Sequence, residues 1–248
     1  MNRILFDKDE IRSGAVTFGG ERASHVAEIL HGEPGQVLKT GEIDGRIGTS
    51  VIESVEKISS AASEPEYSVT VRVSHTEDAP PSWCDLILAP PRPRVFKRLL
   101  PQLAAMGAGA IVLVGAKKVE KDFWGATVLK DENWRPLCAE GLMQAGTSEM
   151  PRVVVRRRFM AFLRDELDAM FPTANRVVAH PYAASGARPA SPVPQSGRLL
   201  LAIGPEGGWE DGEVAAMAER GFRPYSLGKR ILRTDTAAVA LLSRLCNE

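Results

Sequence analysis

Between residues 84 and 204, short and mostly apolar runs alternate with segments of helical spacing. The runs are "CDLILAP", "AIVLVG", "RVVVR", "RVVAH" and "RLLLAIG". Strands of a parallel sheet are buried on both faces and read as continuous apolar runs, whereas half-exposed strands alternate. Helices between such runs act as crossover connections. The pattern therefore predicts an α/β fold whose parallel sheet is covered on both faces.

The intervening and following segments predict the helices of this sheet. "PRVFKRLLPQLAAMG" has one apolar face, and Pro101 within it predicts a kink or a break. Further helices are expected within 130–145 and at "FMAFLRDELDAMF", "WEDGEVAAMAERG" and "TDTAAVALLSRL", the last with Thr234 or Asp235 as its N-cap. A loop rich in Pro, Ser and Gly is expected at 181–197.

The first 76 residues have a different pattern. Short strand-like runs at 15–18, 37–40, 48–55 and 67–73 are separated by Gly, Asp and Ser turns, and "RASHVAEILHG" is the one helical stretch. "HTEDAPPSW" at 75–83 is typical of a linker. The sequence therefore predicts a small β-barrel domain over 1–76 and the α/β domain over 82–248.

Composition excludes several classes of protein. No apolar run reaches about 18 residues, and the start "MNRILFDKDEIRSG" is too acidic for a signal peptide. The three cysteines lie far apart without a CxxC motif, which argues against zinc. We expect a cytoplasmic protein without a metal. Residues 1–80 carry 8 Lys/Arg and 14 Asp/Glu, and residues 81–248 carry 23 and 17. The second part is therefore the better candidate for a polyanionic partner.

Two loops follow strand-like runs near the end of the chain. The first loop, "GPEGG" at 204–208, follows "RLLLAIG", and the second loop covers 226–236. Ligands of parallel α/β sheets bind beyond the carboxyl ends of strands, and Gly207 and Gly208 permit positive φ and close approach of a ligand. "GPEGG" is neither GxGxxG nor a phosphate-binding P-loop. From the first loop alone, an ordinary turn and a ligand site are both open.

"IGPEGGWEDGEV" followed by "SLGKRILRTDTAAVALL" closely resembles the C-terminal signature of the bacterial 16S ribosomal RNA uridine N3-methyltransferases, members of the SPOUT class. The resemblance implies a C-terminal trefoil knot, which is a rare exception among folds, after a PUA-like barrel. It also implies S-adenosylmethionine bound by the two loops and by a third loop after the first strand. The implied cofactor-binding residues are Leu88, Ala89, Pro90, Ile203, Gly204, Pro205, Glu206, Gly207, Gly208, Leu227, Gly228, Ile231, Leu232, Thr234, Thr236 and Ala237.

The resemblance extends over most of the chain but weakens elsewhere. "ASHVAEIL" and "EIDGRIG" resemble segments of the family's barrel, and "AEGLMQAGTSEMPRV" resembles its Glu-Gln-Ser-Gly-Arg segment. In the last of these Met143 replaces Glu and Thr147 replaces Arg, although Gln144 remains. "AAMGAGAI", including residues 104–107, replaces the usual Glu-Leu-Gly. Methyl transfer is thus implied, whereas the effect of these departures on the target nucleotide is open.

Methylation at N3 of uridine requires loss of a proton, by a general base or through stabilisation of the anion. Arg233 and Glu206 are the candidate catalytic residues, with a salt bridge and loop bracing as their structural alternatives. His25 and His180 are interpreted as structural. Candidate RNA-binding residues are Arg92, Arg94, Lys97, Arg98 and Gln144, together with the run 156–158, although a solvated surface explains the basic clusters equally well.

The expected partner is 16S ribosomal RNA or the small ribosomal subunit. The resemblance also implies a homodimer that uses the last helix, whose apolar positions cover more than one stripe, namely Ala237, Ala238, Val239, Leu241, Leu242 and Leu245. One alternative is a related methyltransferase acting on another base or on a ribose hydroxyl. A second is a non-catalytic RNA-binding or ribosome-assembly protein. The catalytic base, the target nucleotide and the assembly stage are open at this point.

Overall fold

A computed structural model describes residues 2–58, 66–172, 174–180 and 197–246. The chain divides into two compact units. The first unit comprises Met1–Pro80 with Leu142–Met150, and the second comprises Pro81–Gly141 with Pro151–Glu248. The predicted loop at 181–197 lies outside the described residues except for Gly197. None of the helices in the described segments is long and apolar enough to cross a membrane.

The first unit is built on a five-stranded sheet. Its strands are β1 (Ile4–Phe6), β2 (Ala15–Phe18), β3 (Val37–Glu42), β4 (Ile47–Ile58) and β5 (Glu66–Glu77), in the order β1-β3-β4-β5-β2. β1 and β3 pair in parallel, and the other pairs are antiparallel. The four predicted strands are confirmed, β2 with the predicted bounds and the other three with longer ones. β5 extends to Glu77, so the predicted linker begins too early, and β1 was not predicted.

One short helical segment covers this sheet. The helix α1 (Gly20–Ser24) continues as a π-helical turn over His25–Ile29, and Ala23 and Val26 reach the core with Phe6, Phe18 and Ile52. Gly32 follows at a close approach, because a Cβ there would lie 2.6 Å from a methyl of Val26. Glycine at this position therefore lets the chain pass over its own helix.

The segment 142–150 packs against the turn between β3 and β4. Asp44 adopts a φ of 57°, and its N–H donates to the Ser148 carbonyl at 2.8 Å. Its carboxylate accepts the Met150 N–H at 2.7 Å, and the Ser148 hydroxyl donates to the Gly45 carbonyl at 2.7 Å. The Asp-Gly turn of the sequence therefore fastens this segment to the first unit.

The second unit contains a six-stranded sheet in which every described pairing is parallel. Its strands are β6 (Cys84–Leu88), β7 (Ala108–Val114), β8 (Arg152–Arg156), β9 (Asn175–Ala179), β10 (Leu199–Ile203) and β11 (Arg223–Tyr225). They lie in the order β11-β9-β10-β6-β7-β8. The predicted parallel α/β sheet is confirmed.

Helices cover both faces of this sheet. The α-helices after β6 are α2 (Pro93–Ala105), α3 (Asp131–Ala145), α4 (Phe159–Asp165), α5 (Leu167–Met170), α6 (Asp211–Glu219) and α7 (Thr234–Leu245), and the last four residues of α3 belong to the first unit. Alternate strand residues, such as Ile87 and Leu200, join Phe162 and Met217 from α4 and α6 in one core. α2 packs on β7 and on α7, and α7 packs on β10. Because successive strand residues point to opposite faces, each strand serves both layers.

Two helix predictions need correction. α2 runs without interruption through Pro101, so the expected break is wrong. Its neighbour in the fold is Gly141, where a Cβ would lie 2.0 Å from the Pro101 carbonyl oxygen. The segment "FMAFLRDELDAMF" forms two helices, α4 and α5, because Glu166 between them departs to a φ of −122°.

Candidate functional site

The carboxyl ends of the parallel strands share one edge of the second unit. The first loop follows β10 there, the second loop follows β11, and a bridging loop, residues 115–120, follows β7. The predicted third loop follows β6, and its Ala89 N–H donates to the Ile203 carbonyl at 2.9 Å. Crevices at this edge are the usual ligand sites of such sheets.

The first loop is a tight turn built around glycine. The Gly208 N–H donates to the Pro205 carbonyl at 2.8 Å, and Gly208 has a φ of 71°, which disfavours any other residue. A Cβ on Gly204 would lie 3.1 Å from Nε1 of Trp209. Trp209 is buried and stacks on Phe159 with ring centroids 5.1 Å apart. Its Nε1 has no hydrogen-bond partner among the described residues.

The second loop is joined to the first by one side chain. The Thr234 hydroxyl donates to the Gly204 carbonyl at 3.1 Å, and Thr234 is 3% exposed. Earlier in the loop, the Ser226 hydroxyl bonds both the N–H and the carbonyl of Gly228, whose φ is 126°. The predicted N-cap at Thr234 or Asp235 is wrong. Arg233 is the N-cap, because its backbone is extended (φ −66°, ψ 155°) and the helix begins at Thr234, whose hydroxyl bonds Gly204.

The two loops enclose an open cavity of about 420 Å³. Most of the predicted cofactor-binding residues line it, namely Ile203, Gly204, Pro205, Glu206, Gly207, Gly208, Leu227, Gly228, Ile231, Leu232, Thr234 and Ala237. Four do not. Leu88 and Ala89 are buried in and after β6, and Thr236 is exposed on α7. Pro90 lines a smaller recess of about 40 Å³.

Several residues of the cavity wall were not predicted. They are Lys118, Ala179, Trp209, Asp211, Tyr225, Ser226, Arg230 and Leu241. His180, interpreted as structural from the sequence, also lines the cavity. Ala179 and Tyr225 end strands, and Lys118 follows β7. The rule that placed the first two loops at the carboxyl edge would have indicated these positions as well.

The two catalytic candidates lie in different surroundings. Glu206 is exposed and lines both the cavity and the smaller recess. Arg233 is exposed before α7 and is not among the residues that line either space. Its carbonyl accepts the Ala237 N–H at 2.8 Å, which is its role as the helix N-cap. Of the pair, Glu206 alone faces the site.

The basic candidates divide into exposed and engaged groups. Arg92, Arg94, Lys97 and Arg98 are exposed at the start of α2, where Arg92 pairs with Glu120 at 3.2 Å and Arg98 with Asp235 at 3.6 Å. In the run 156–158, Arg156 bonds Glu166 and Arg157 lies 5.5 Å from the centre of the Trp124 ring. Those two guanidinium groups therefore have structural partners.

Two further candidates belong to the first unit. Gln144 is exposed, and its carbonyl accepts the Asn2 side-chain amide at 2.7 Å. His25 is part of the π-helical turn, where burial first and the N-terminal charge second lower the pKa of its ring.

The described residues give little support for cysteine chemistry or metal binding. Burial raises the pKa of the Cys138 thiol to about 12, and it raises that of Cys84 further. Such thiols stay protonated at neutral pH and are poor nucleophiles. Among the described residues, no three His, Cys, Asp or Glu side chains come together as metal ligands do.

The cavity lies beyond the carboxyl ends of parallel strands, where sheets of this kind bind small molecules. The second unit is therefore an α/β domain of the ligand-binding type. The family model described as RNA methyltransferase domain matches residues 78–246, and the chain belongs to that family.

Curated relatives match over nearly the whole chain. Ribosomal RNA small subunit methyltransferase E of Treponema pallidum (strain Nichols) is 26% identical over 242 residues, covering 97% of this chain and 88% of the relative. The protein of the same name from Mycobacterium tuberculosis (strain CDC 1551 / Oshkosh) is 27% identical over 250 residues, covering 98% and 90%.

Solved structures share the fold over the same length. A protein of Legionella pneumophila in complex with the cofactor SAM superposes with a TM-score of 0.73 at 24% identity, covering 98% of this chain and 96% of that one. A ribosomal RNA small subunit methyltransferase E from Neisseria gonorrhoeae, bound to S-adenosyl methionine, gives 0.69 at 21% identity, covering 99% and 96%.

Proposed function

We propose that this protein is an S-adenosylmethionine-dependent methyltransferase that acts on small-subunit ribosomal RNA, with N3 of a uridine in 16S RNA as the acceptor. The observation that carries the proposal is the cavity between the first and second loops, joined by the bond from Thr234 to Gly204. Family membership and the names of the relatives support the reaction class and the RNA substrate.

The cavity fits S-adenosylmethionine in size and in chemistry. Its volume of about 420 Å³ lies within the range of small-molecule sites. Leu227, Ile231 and Leu232 offer an apolar wall for a base, whereas Asp211 and Glu206 offer carboxylates for polar and cationic groups. Protein atoms lie more than 4 Å from the Cβ position of Gly208, so a ligand can approach its backbone. The first and second loops would hold the cofactor.

When bound, the cofactor supplies a methyl group already activated on a sulfonium. The protein's contribution is therefore to bind, to orient and to handle the acceptor proton. Glu206 lies between the cavity and the smaller recess, and we assign it the role of accepting the proton from uridine N3. Arg233 lies outside both spaces, so we assign it to a contact with an RNA phosphate and not with the reacting uracil.

RNA would approach across the exposed basic residues of unit two. The exposed basic side chains on α2 are Arg94, Lys97 and Arg98. Arg98 pairs with Asp235 at 3.6 Å, two residues after the exposed Arg233. Phosphate contacts from such side chains orient RNA without reading its sequence. Gln144 is retained as an RNA contact of the first unit.

The finer architecture is part of the same proposal. The sheet and loops of residues 82–248 would form a SPOUT domain with the trefoil knot, and residues 1–76 a PUA-like RNA-binding barrel. The enzyme would work as a homodimer in the cytoplasm. Leu242 and Leu245 are 0% and 1% exposed within one chain, so the dimer contact would use the part-exposed Val239 and Ala240 of α7.

Nucleoside mass spectrometry of ribosomal RNA tests the function directly. RNA from a strain lacking the protein should lose 3-methyluridine, and adding the protein with S-adenosylmethionine should restore it. Loss of another modified nucleoside would favour a different base or a ribose as the target. The departures from the family pattern at Met143, Thr147 and residues 104–107 are consistent with that alternative. Unchanged RNA and no heat on cofactor titration would favour a non-catalytic RNA-binding protein.

A further inference from the structure

The bridging loop contributes one residue, Lys118, to the walls of two spaces. Lys118 lines the large cavity and the smaller recess, and Pro205 and Glu206 of the first loop do the same. These three residues therefore form the partition between the two spaces. The proposed methyl transfer takes place across this partition, so the shape of the partition affects both the large cavity and the smaller recess.

Lys118 contacts the first loop with its ammonium and with its aliphatic stem. The Nζ donates to the Gly207 carbonyl at 3.1 Å and lies 3.1 Å from a carboxylate oxygen of Glu210. A Cβ on Gly207 would lie 2.9 Å from the Lys118 Cδ, so the stem occupies the space that a side chain would need. One lysine thus fixes the direction of the Gly207 peptide.

The loop that presents Lys118 is itself held firmly. Ala116 is buried, and the Lys117 N–H donates to Glu213 Oε1 at 2.9 Å. Glu213 is 7% exposed, and its other oxygen accepts the Glu210 N–H at 2.8 Å. A buried carboxylate with both oxygens bonded ties the bridging loop to the start of α6.

The positive charge of Lys118 is balanced by the neighbouring carboxylate of Glu210. The hydrogen bond from Lys118, followed by the charges of Lys118 and Lys117, lowers the pKa of the Glu210 carboxyl. Glu210 is therefore ionised at neutral pH, and the lysine does not confront a cationic ligand as an isolated charge. This arrangement suits a residue that shapes the wall and does not bind the ligand by charge.

We propose that Lys118 is a positioning residue of the cofactor cavity, which holds the Gly207 carbonyl and so sets the first loop in its binding conformation before the ligand arrives. The inference rests on the proposed function, because its ligand is the cofactor proposed above. A loop ordered in advance loses less conformational freedom on binding, and affinity rises accordingly.

Calorimetric titration of the full chain with S-adenosylmethionine and with S-adenosylhomocysteine tests the role. Lys118→Met should weaken both ligands by about tenfold, because a charged donor to a backbone carbonyl is lost. The melting temperature should move by less than about 2 °C, and the ratio of the two affinities should stay the same. Lys118→Arg keeps the cationic donor and should restore affinity to within about threefold.

Lys117→Met is the matched control. Lys117 also pairs with Glu210, at 3.7 Å, but its side chain does not reach Gly207 or line either space among the described contacts. The affinities of Lys117→Met for the two ligands should stay within about twofold of those of the unmutated chain. Equal losses in the two variants, or unchanged affinity in Lys118→Met, overturn the inference. A changed ratio of the two ligands overturns it too, since that reports charge. Failure of the unmutated chain to bind either ligand instead overturns the proposed function.

Discussion

The hydroxyl of Thr234 donates to the carbonyl of Gly204 at 3.1 Å, across 30 residues of sequence. Thr234 begins α7 and Gly204 follows β10, so this bond joins the two loops at the wall of the cavity. Thr234 is buried and Gly204 is partly buried, so loss of the bond would leave a poorly solvated carbonyl unpaired.

Replacing Thr234 with Val keeps the side-chain shape and removes the bond. We expect a loss of about 1–2 kcal/mol in the free energy of unfolding and about fivefold weaker binding of S-adenosylmethionine. Urea denaturation and calorimetry measure the two effects. Thr236→Val is the control, because Thr236 is exposed and lies outside the cavity wall. Comparable cofactor weakening by Thr236→Val would return that residue to the binding set.

Gly208→Ala tests the backbone of the first loop. Its φ of 71° makes a side chain costly by about 1 kcal/mol, and the added methyl would project into space that we assign to the ligand. Cofactor affinity should fall by more than the stability does. Gly212→Ala in α6 is matched, since it also has open space but no positive φ, and it should stabilise the helix slightly. Equal cofactor affinity in the two variants would contradict the assignment of this loop.

Arg233→Ala should weaken RNA and spare the cofactor. If Arg233 contacts one phosphate, its loss lowers the slope of log affinity against log salt by about 1. Filter binding of small-subunit RNA at several salt concentrations measures the slope. Arg244→Ala, exposed at the other end of α7, serves as the control for net charge. A variant with an unaltered slope but a slower single-turnover step would place Arg233 at the reacting base.

The dimer can be tested on α7 without damaging the core. Val239→Glu should give monomers that stay folded and melt cooperatively, at a temperature lowered only by the loss of the dimer contact, since Val239 is only partly buried. Leu242→Glu should unfold the chain, because Leu242 is fully buried and a carboxylate there has no water. Light scattering and thermal melting separate the two outcomes. An unmutated protein that is monomeric and fully active at micromolar concentration would end the dimer proposal.

The sequence predicted the parallel sheet well because its central strands are almost entirely apolar and buried. β10 is the strongest example, with all five residues buried. The resemblance to a known family supplied the residues of the two loops, and most of them line one cavity. Neither required knowledge of how distant segments meet.

What the sequence missed depends on tertiary contacts. β1 has only three residues, too few to establish a period, and it forms by pairing with β3. Thr234 looks like an N-cap until the Gly204 carbonyl is placed beside it. Lys118 is one of two adjacent lysines, and composition alone cannot tell which of them reaches Gly207. The burial of Leu242 within one chain likewise follows from the packing of α7.

The strand order has a consequence for how the chain reaches its native state. β10, formed by Leu199–Ile203, lies between β9 and β6, and its Leu199 aligns with Cys84, more than a hundred residues earlier. β6 and β9 therefore do not pair with each other, and the centre of the sheet is complete only when β10 has paired with both. Pairing over such sequence distances is slow, since the loop must close before the contacts form. On the ribosome, the second unit must wait for almost its entire length to be synthesised before its central strand can take its place.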